Sequence, residues 1–235
     1  MYLSRLGILA FLCLLTLDVG HAGAVPIAAT DLNTLTLGAK IDGPVGPEVN
    51  TSLVNATGQK SLGDLESSVS CPAGSMPCVP STRPAGTIYT YVHDVTPGVD
   101  SPNDAPFPQP SVVPFNDVTE FSLGFPAEGF NRVAGFSFPD AAAAEETFGI
   151  ELLSDGSLEW TANGTGWDTG EKIAFFWQTT QPPSGPGGVY TASNAITSGT
   201  GAGPLPAPIP EPATFGLMLS GIIALLVRRR VFTRR

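Results

Sequence analysis

Glycine and proline interrupt this chain so often that little room remains for long helices between residues 25 and 209. The 235 residues include 27 glycines and 23 prolines, and helical spacing of apolar side chains is almost absent. Short runs rich in alternating, β-branched and aromatic residues recur instead, which is typical of strands separated by turns. These runs cover residues 32–41, 87–95, 120–125, 132–138, 148–154, 157–162, 172–179 and 188–192.

The pattern predicts a mainly β protein with an antiparallel β-sandwich-like domain. Asp155-Gly156 lies between two of the runs and indicates a hairpin, whereas only residues 141–147 look helical. Residues 25–86 are predicted as an N-terminal β or irregular region, because 42–86 hold few large apolar side chains. Residues 87–198 are predicted as a β-rich domain and 199–209 as a Gly/Pro linker.

The N-terminus has the features of a secretory signal peptide. Arg5 precedes a continuous apolar stretch at 6–17, and small residues follow at Ala22 and Ala24. The stretch is the length of a signal core and short for a membrane span. We therefore predict a signal peptide over residues 1–24 that is cleaved after Ala24, with cleavage after Ala22 and an uncleaved N-terminal anchor as the alternatives.

The C-terminus carries an apolar segment between a proline motif and a basic cluster. Residues 215–227 are apolar and precede Arg228, Arg229 and Arg230, with two more arginines at the end of the chain. The arginines place this end in the cytoplasm by the positive-inside rule. Thirteen helical residues span only about 20 Å of a hydrocarbon core of about 30 Å. The segment is thus a short transmembrane helix suited to temporary retention, and an ordinary single-span anchor is the alternative.

The same segment resembles the PEP-CTERM sorting signal. The resemblance rests on Pro210, Glu211 and Pro212, followed by Ala213 and Thr214, the short apolar helix and the arginine cluster. It implies an exosortase substrate from a Gram-negative bacterium that makes extracellular polysaccharide, with the Pro-Glu-Pro element recognised by that processing peptidase. Both prolines lack an N–H and disfavour helix, which keeps the motif extended for a peptidase.

The charge of the body between the two segments excludes a nucleic-acid partner. Without Asp18 and Glu211 the 21 acidic residues fall to 19, and without Arg5 and the five C-terminal arginines the 11 basic residues fall to 5, which gives a net charge of −14. A strongly acidic surface repels nucleic acid and anionic lipid. It suits solubility or, as an alternative, cation binding.

Cys71 and Cys78 remain after signal removal, and in an oxidising compartment we predict that they form a disulfide. His93 has no partner histidine in the body, so we predict no metal site and no cofactor. Asp94, Asp100 and Asp104, or Asp155 and Asp168, are an alternative calcium set without EF-hand spacing. No nucleophile elbow or phosphate-binding loop is present in the sequence, and no catalytic residue is predicted.

Aromatic residues cluster between positions 121 and 177. Their β-type spacing predicts that they form the core. The alternative is that Trp160, Trp167 or Trp177 faces outward and stacks on sugars. The sequence as a whole predicts an exported, non-enzymatic surface or matrix protein associated with extracellular polysaccharide; a secreted carbohydrate-active enzyme and a plain single-span membrane protein are the alternatives.

Overall fold

A computed structural model of the chain describes residues 23–43, 45–46, 48–100 and 112–209. Within these ranges the protein is mainly β, as predicted, and α1 (Phe138–Ala143) is a six-residue helix. The strands are β1 (Val25–Ile27), β2 (Ala29–Asp31), β3 (Leu37–Lys40), β4 (Val49–Asn55), β5 (Ser61–Pro72), β6 (Tyr89–Pro97), β7 (Glu120–Leu123), β8 (Phe130–Phe136), β9 (Phe148–Leu152), β10 (Leu158–Ala162), β11 (Ile173–Thr179), β12 (Pro183–Ser193) and β13 (Ser198–Pro206).

All thirteen strands belong to one sheet that curls until it is nearly barrel-shaped. The order along the sheet is β1-β9-β10-β7-β12-β13-β4-β5-β6-β11-β8-β2, with β3 paired beside β5. The two outermost strands are consecutive in the chain. This segment, residues 25–31, is the N-terminal strap: β1 pairs antiparallel with β9, and β2 pairs parallel with β8. The predicted sandwich is not confirmed, because the strands form one continuous ladder.

The strap closes the sheet through a very close backbone contact at Gly135 on β8. A Cβ atom at this position would lie 1.8 Å from the Thr30 carbonyl oxygen and 2.6 Å from Phe176 Cε1. A side chain there would therefore separate β2 from β8. Glycine at this position allows the two strands to pair.

The region at 25–86, predicted as β or irregular, contains strands β1 to β5, which join the same sheet as the strands of the predicted β-rich domain. β4 and β5 lie in the middle of the sheet, between β13 and β6, and β5 is twelve residues long. Leu65 and Val69 face the core, but the inward position between them is Ser67, which is also buried. Small polar residues at inward positions weaken the apolar alternation that identifies a strand.

The predicted Gly/Pro linker at 199–209 is wrong for most of its length. Residues up to Pro206 belong to β13, which pairs with both β12 and β4. Its glycines leave room for large side chains from other strands: a Cβ at Gly203 would lie 2.6 Å from Cε2 of Tyr190 on β12, and one at Gly201 would lie 2.8 Å from Cδ2 of Leu65 on β5. Only residues 207–209 follow the strand within the described part of the chain.

Two local predictions can be compared directly with the structure. The hairpin at Asp155-Gly156 is confirmed, because β9 and β10 pair antiparallel around it and Gly156 has a φ of +86°. The predicted helix at 141–147 begins earlier, at Phe138. The Ser137 hydroxyl oxygen accepts a hydrogen bond from the Asp140 amide and caps the start of α1, as expected of an N-cap serine.

Candidate functional site

A groove on the outer face of the sheet is the candidate site. Its volume is about 190 Å³. Glu66, Ser68 and Ser70 alternate along β5 and so point to the same side, and Asp94 and Val92 lie opposite Glu66 and Ser68 on β6. We call it the Glu66 groove, and it is lined by Leu32, Leu37, Lys40, Glu66, Ser68, Ser70, Val92 and Asp94.

The chain that follows the strap forms one wall of the groove. Residues Leu32–Thr34 make a single 3-10 turn before the chain runs back to β3. The Asp31 carboxylate accepts hydrogen bonds from the backbone amides of Asn33 and Phe138, both 3.1 Å long. The Asn33 side-chain amide donates to the Ser137 hydroxyl at 3.0 Å. These bonds join the wall to the start of α1.

The carboxyl groups of the groove lie in different electrostatic surroundings. Burial raises the pKa of Glu66, and the neighbouring carboxylates of Glu48 and Asp94 raise it further. The Lys172 ammonium lies 3.2 Å from Asp94, and this carboxylate raises the pKa of Lys172. Lys40 forms an ion pair with Glu48. The Glu66 carboxyl is thus harder to ionise than an exposed glutamate.

The lining combines hydrogen-bonding groups with aliphatic side chains. Carboxylates accept hydrogen bonds, ammonium groups donate them, and hydroxyls do both. Ser68 and Ser70 are buried, so Glu66, Asp94 and Lys40 are the more accessible polar groups of the lining. Leu32, Leu37 and Val92 supply apolar surface. This combination can hold a polyhydroxylated ligand, whose hydroxyls need both donors and acceptors and whose carbon-bound hydrogens need apolar contact. Across the described ranges, no group of three or more His, Cys, Asp or Glu residues could hold a metal ion.

The three tryptophans are all in the core, with side chains fully buried. The Trp160 indole donates to the Gly135 carbonyl oxygen at 3.0 Å, and the Trp177 indole donates to His93 Nε2 at 3.3 Å. The Trp167 indole nitrogen has no hydrogen-bond partner among the described residues. The sugar-stacking alternative is therefore wrong for Trp160, Trp167 and Trp177, since a buried ring presents no face to a sugar. The aromatic-core interpretation is correct for all three.

His93 is part of this core and is not exposed at all. Because the Trp177 indole can only donate, Nε2 must be the acceptor. The proton of the neutral ring is then on Nδ1, which donates to the Ser67 hydroxyl at 3.0 Å. Burial lowers the pKa of His93 to about 3. The residue is a neutral structural element with no access to a ligand in solution.

The disulfide between Cys71 and Cys78 is confirmed, with a Cα–Cα separation of 5.6 Å. It closes the start of the connection between β5 and β6. Ile41 pairs with Cys78 as an isolated bridge, so the disulfide also fixes the chain beyond β3. Both cysteines are buried, and the bridge is structural.

The predicted sorting residues Pro210, Glu211, Pro212, Ala213 and Thr214 lie outside the described residues, as do the membrane stop Arg228–Arg230 and the apolar core of the signal peptide. Within the described ranges, no helix combines the length and the apolar character needed to cross a membrane.

The alternative calcium carboxylates that the structure describes have other contacts. Asp94 faces Lys172, Asp155 accepts hydrogen bonds from Ser157, and Asp168 accepts one from the Asp117 amide. Asp104 lies outside the described residues. The described members do not converge on one cation position.

The groove residues were missed by sequence reasoning. One usable signal was the polar alternation of Glu66, Ser68 and Ser70 along a run whose other face holds Leu65 and Val69. That pattern marks the face of a strand that points away from the apolar core, although Ser68 and Ser70 are themselves buried in the folded protein. The position of Asp94 opposite Glu66 depends on the register between β5 and β6, which local patterns do not specify.

No protein-family model, curated protein or solved structure matches this chain. The likeness to the PEP-CTERM signal therefore rests on the residues of the C-terminal segment themselves.

Proposed function

We propose that the protein is an exported, non-enzymatic component of the cell surface or extracellular matrix. Its C-terminal segment holds it temporarily in the membrane until an exosortase-type peptidase cuts near the Pro-Glu-Pro motif. The observation that carries this proposal is the order of the C-terminal features: motif, apolar stretch of thirteen residues, then arginines. The short stretch suits temporary retention better than permanent anchoring.

Mass spectrometry of the cell-associated protein tests the route. The expected C-terminus lies between Pro210 and Thr214, and the expected N-terminus is Val25. Replacing Glu211 by alanine should reduce processing, whereas Pro208→Ala, two residues outside the motif, should leave it unchanged. Recovery of protein that retains Arg235 in wild-type cells would contradict sorting and leave a plain single-span membrane protein.

We further propose that the Glu66 groove contacts extracellular polysaccharide. The support is its mixed lining of two carboxyl groups, one ammonium group, two serines and aliphatic side chains. Binding of purified exopolysaccharide should weaken when Glu66 is replaced by glutamine. Glu159→Gln is a matched control, because burial and the neighbouring carboxylates of Glu120 and Glu151 also raise the pKa of Glu159, and this residue is not in the groove lining. Equal binding by both variants would contradict the assignment.

One observation favours the alternative of a carbohydrate-active enzyme. Glycosidases pair a carboxyl group of raised pKa with a second carboxylate. In this protein Glu66, whose pKa is raised, lies directly opposite Asp94 on the adjacent strand. The two proposals differ in the products. A binding protein releases no reducing ends from the polysaccharide. Release that disappears in Glu66→Gln but persists in Glu159→Gln would establish the enzyme instead.

A further inference from the structure

The directions of the strands define two ends of the curled sheet. β13 runs towards the C-terminal segment and finishes at Pro206, which pairs with Pro183 at the start of β12. Neighbouring strands are antiparallel, except at the strap, so each connecting loop can be assigned to one end. The near end contains Pro206 and the loops at 73–88, 124–129, 153–157 and 180–182. The far end contains the loops at 56–60, 98–119, 137–147, 163–172 and 194–197.

Both ends of the described chain leave from the near end. Val25 pairs with Leu152, the last residue of β9, immediately before the near-end turn at 153–157. Ala207 continues from β13 and donates its amide to the Pro182 carbonyl oxygen in another near-end loop. The segments predicted to meet the membrane, before Val25 and after Ile209, are therefore attached to the same side of the domain.

The loops at the two ends differ in charge. The near-end loops hold one base and two acids, which give a net charge of −1: Arg83, Glu128 and Asp155. The described far-end loops hold two bases and seven acids, which give −5: Lys60, Lys172, Asp100, Asp117, Asp140, Glu145, Glu146, Asp168 and Glu171. Asp100 and Glu146 are buried, and the other five acids are at least partly exposed. The β3–β4 connection carries two more acids, Asp42 and Glu48, and begins beside a near-end loop, where Ile41 pairs with Cys78. Counted with the near-end loops, it gives that end a net charge of −3.

Apolar exposure does not distinguish the ends, since Met76 at the near end is 84% exposed and Ile196 at the far end is 92% exposed. Charge does. An anionic bilayer repels carboxylates that lie within a Debye length of about 10 Å at 0.1 M salt. Met76 lies in a near-end loop that contains no acid, whereas the exposed tip at Ile196 shares its end with the acidic loops.

We propose that the near end faces the bilayer while the protein is held in the membrane, and that the acidic far end points away from it. This inference rests on the proposed C-terminal anchoring. Eight residues separate Pro206 from Phe215, and a fully extended chain of that length reaches at most about 29 Å. β13 alone spans roughly 30 Å. This eight-residue tether is therefore too short to let the far end rest on the membrane while the near end, where the tether is attached, points away from it.

A pair of fluorescent labels tests the orientation. The chain from Val25 to Arg235 contains only the two disulfide-bonded cysteines, so a single introduced cysteine can be labelled. Ser154→Cys places the label in the exposed β9–β10 turn of the near end. Ala195→Cys is the matched control, in the exposed β12–β13 turn of the far end. Each labelled chain is reconstituted into vesicles of phosphatidylethanolamine and phosphatidylglycerol that carry a headgroup quencher.

The protein is expected to float with the vesicles, and the label at position 154 should be quenched at least about twofold more than the label at 195, because the labels are separated by roughly the length of a nine-residue strand. Flotation with equal quenching, or stronger quenching at 195, would overturn the orientation and leave the anchoring intact. Failure to float would overturn the proposed anchoring, and the orientation with it.

Discussion

Acidification should destabilise this protein through one buried residue, His93. Its pKa is about 3 in the folded protein, against about 6.5 in an unfolded chain. The unfolded state therefore takes up the proton first as the pH falls. The contribution of His93 to stability is complete above pH 6.5 and is lost progressively between pH 6.5 and pH 3.

The magnitude follows from this pKa difference. One proton bound only by the unfolded state costs about 1.4 kcal/mol per pH unit. Lowering the pH from 6 to 4 should therefore remove about 2.5 kcal/mol, since the histidine of the unfolded state is already partly protonated at pH 6. That is a large fraction of the 5–15 kcal/mol by which domains are typically stable.

Urea denaturation of wild type and of His93→Gln at pH 6, 5 and 4 measures this pH-dependent contribution of His93 to the free energy of unfolding. A glutamine oxygen can still accept the hydrogen bond from the Trp177 indole, but the side chain does not titrate. Carboxylates with lowered pKa, such as Glu48, contribute equally to both proteins. The wild type should lose about 2.5 kcal/mol more than the variant.

Equal losses in wild type and variant would refute the reasoning. If the variant does not fold, NMR titration of the wild-type imidazole provides the same information. The ring should remain neutral at pH 4, with its proton on Nδ1. A midpoint near 6.5 in the folded protein would show that the ring is accessible to solvent and that the Ser67 and Trp177 hydrogen bonds do not enclose it.

Three further predictions concern the core and the strap. Reduction of the Cys71–Cys78 disulfide should lower the free energy of unfolding by about 2.5 kcal/mol, the value for a small loop, in chemical denaturation with and without reductant; an unchanged midpoint would contradict it. Gly135→Ala should speed hydrogen exchange of amides in the strap, because the added Cβ occupies the space of the strap carbonyl; unchanged protection would show that the strap does not depend on this contact. Trp160→Phe should lower the stability measured by thermal unfolding by about 1–2 kcal/mol more than Trp167→Phe, because of these two indoles only that of Trp160 makes a hydrogen bond. The opposite order would mean that packing outweighs the bond.

Some strands could be predicted from the sequence because large side chains carry the alternation. β6 and β9 to β11 place aromatic or aliphatic residues on their inward faces, as at Tyr91, Phe148, Trp160 and Phe175. β5 and β13 were missed because serine and glycine occupy inward positions there. These inward positions hold small residues because large side chains from other strands occupy the space beside them. His93 lies against Ser67, and Tyr190 lies against Gly203.

The groove and the charge separation could not be predicted for the same reason. Glu66 meets Asp94 only through the register of β5 and β6, and the wall at Leu32 is held by Asp31 against the start of α1. Each contact joins residues that are far apart in the chain. A local pattern contains no information about which distant segment will lie opposite it.

The sequence by itself determined the mainly β class, the hairpin at Asp155-Gly156 and the disulfide, since each depends on neighbouring residues and short-range geometry. It also contains the ordered C-terminal features from which we propose the route of the protein. Only the tertiary structure decided that the strap joins β8 to β9, that all three tryptophans are buried, and that the acidic loops gather at the far end. These properties arise when one continuous sheet curls on itself, because closure sets which loops share an end and which faces lose contact with water.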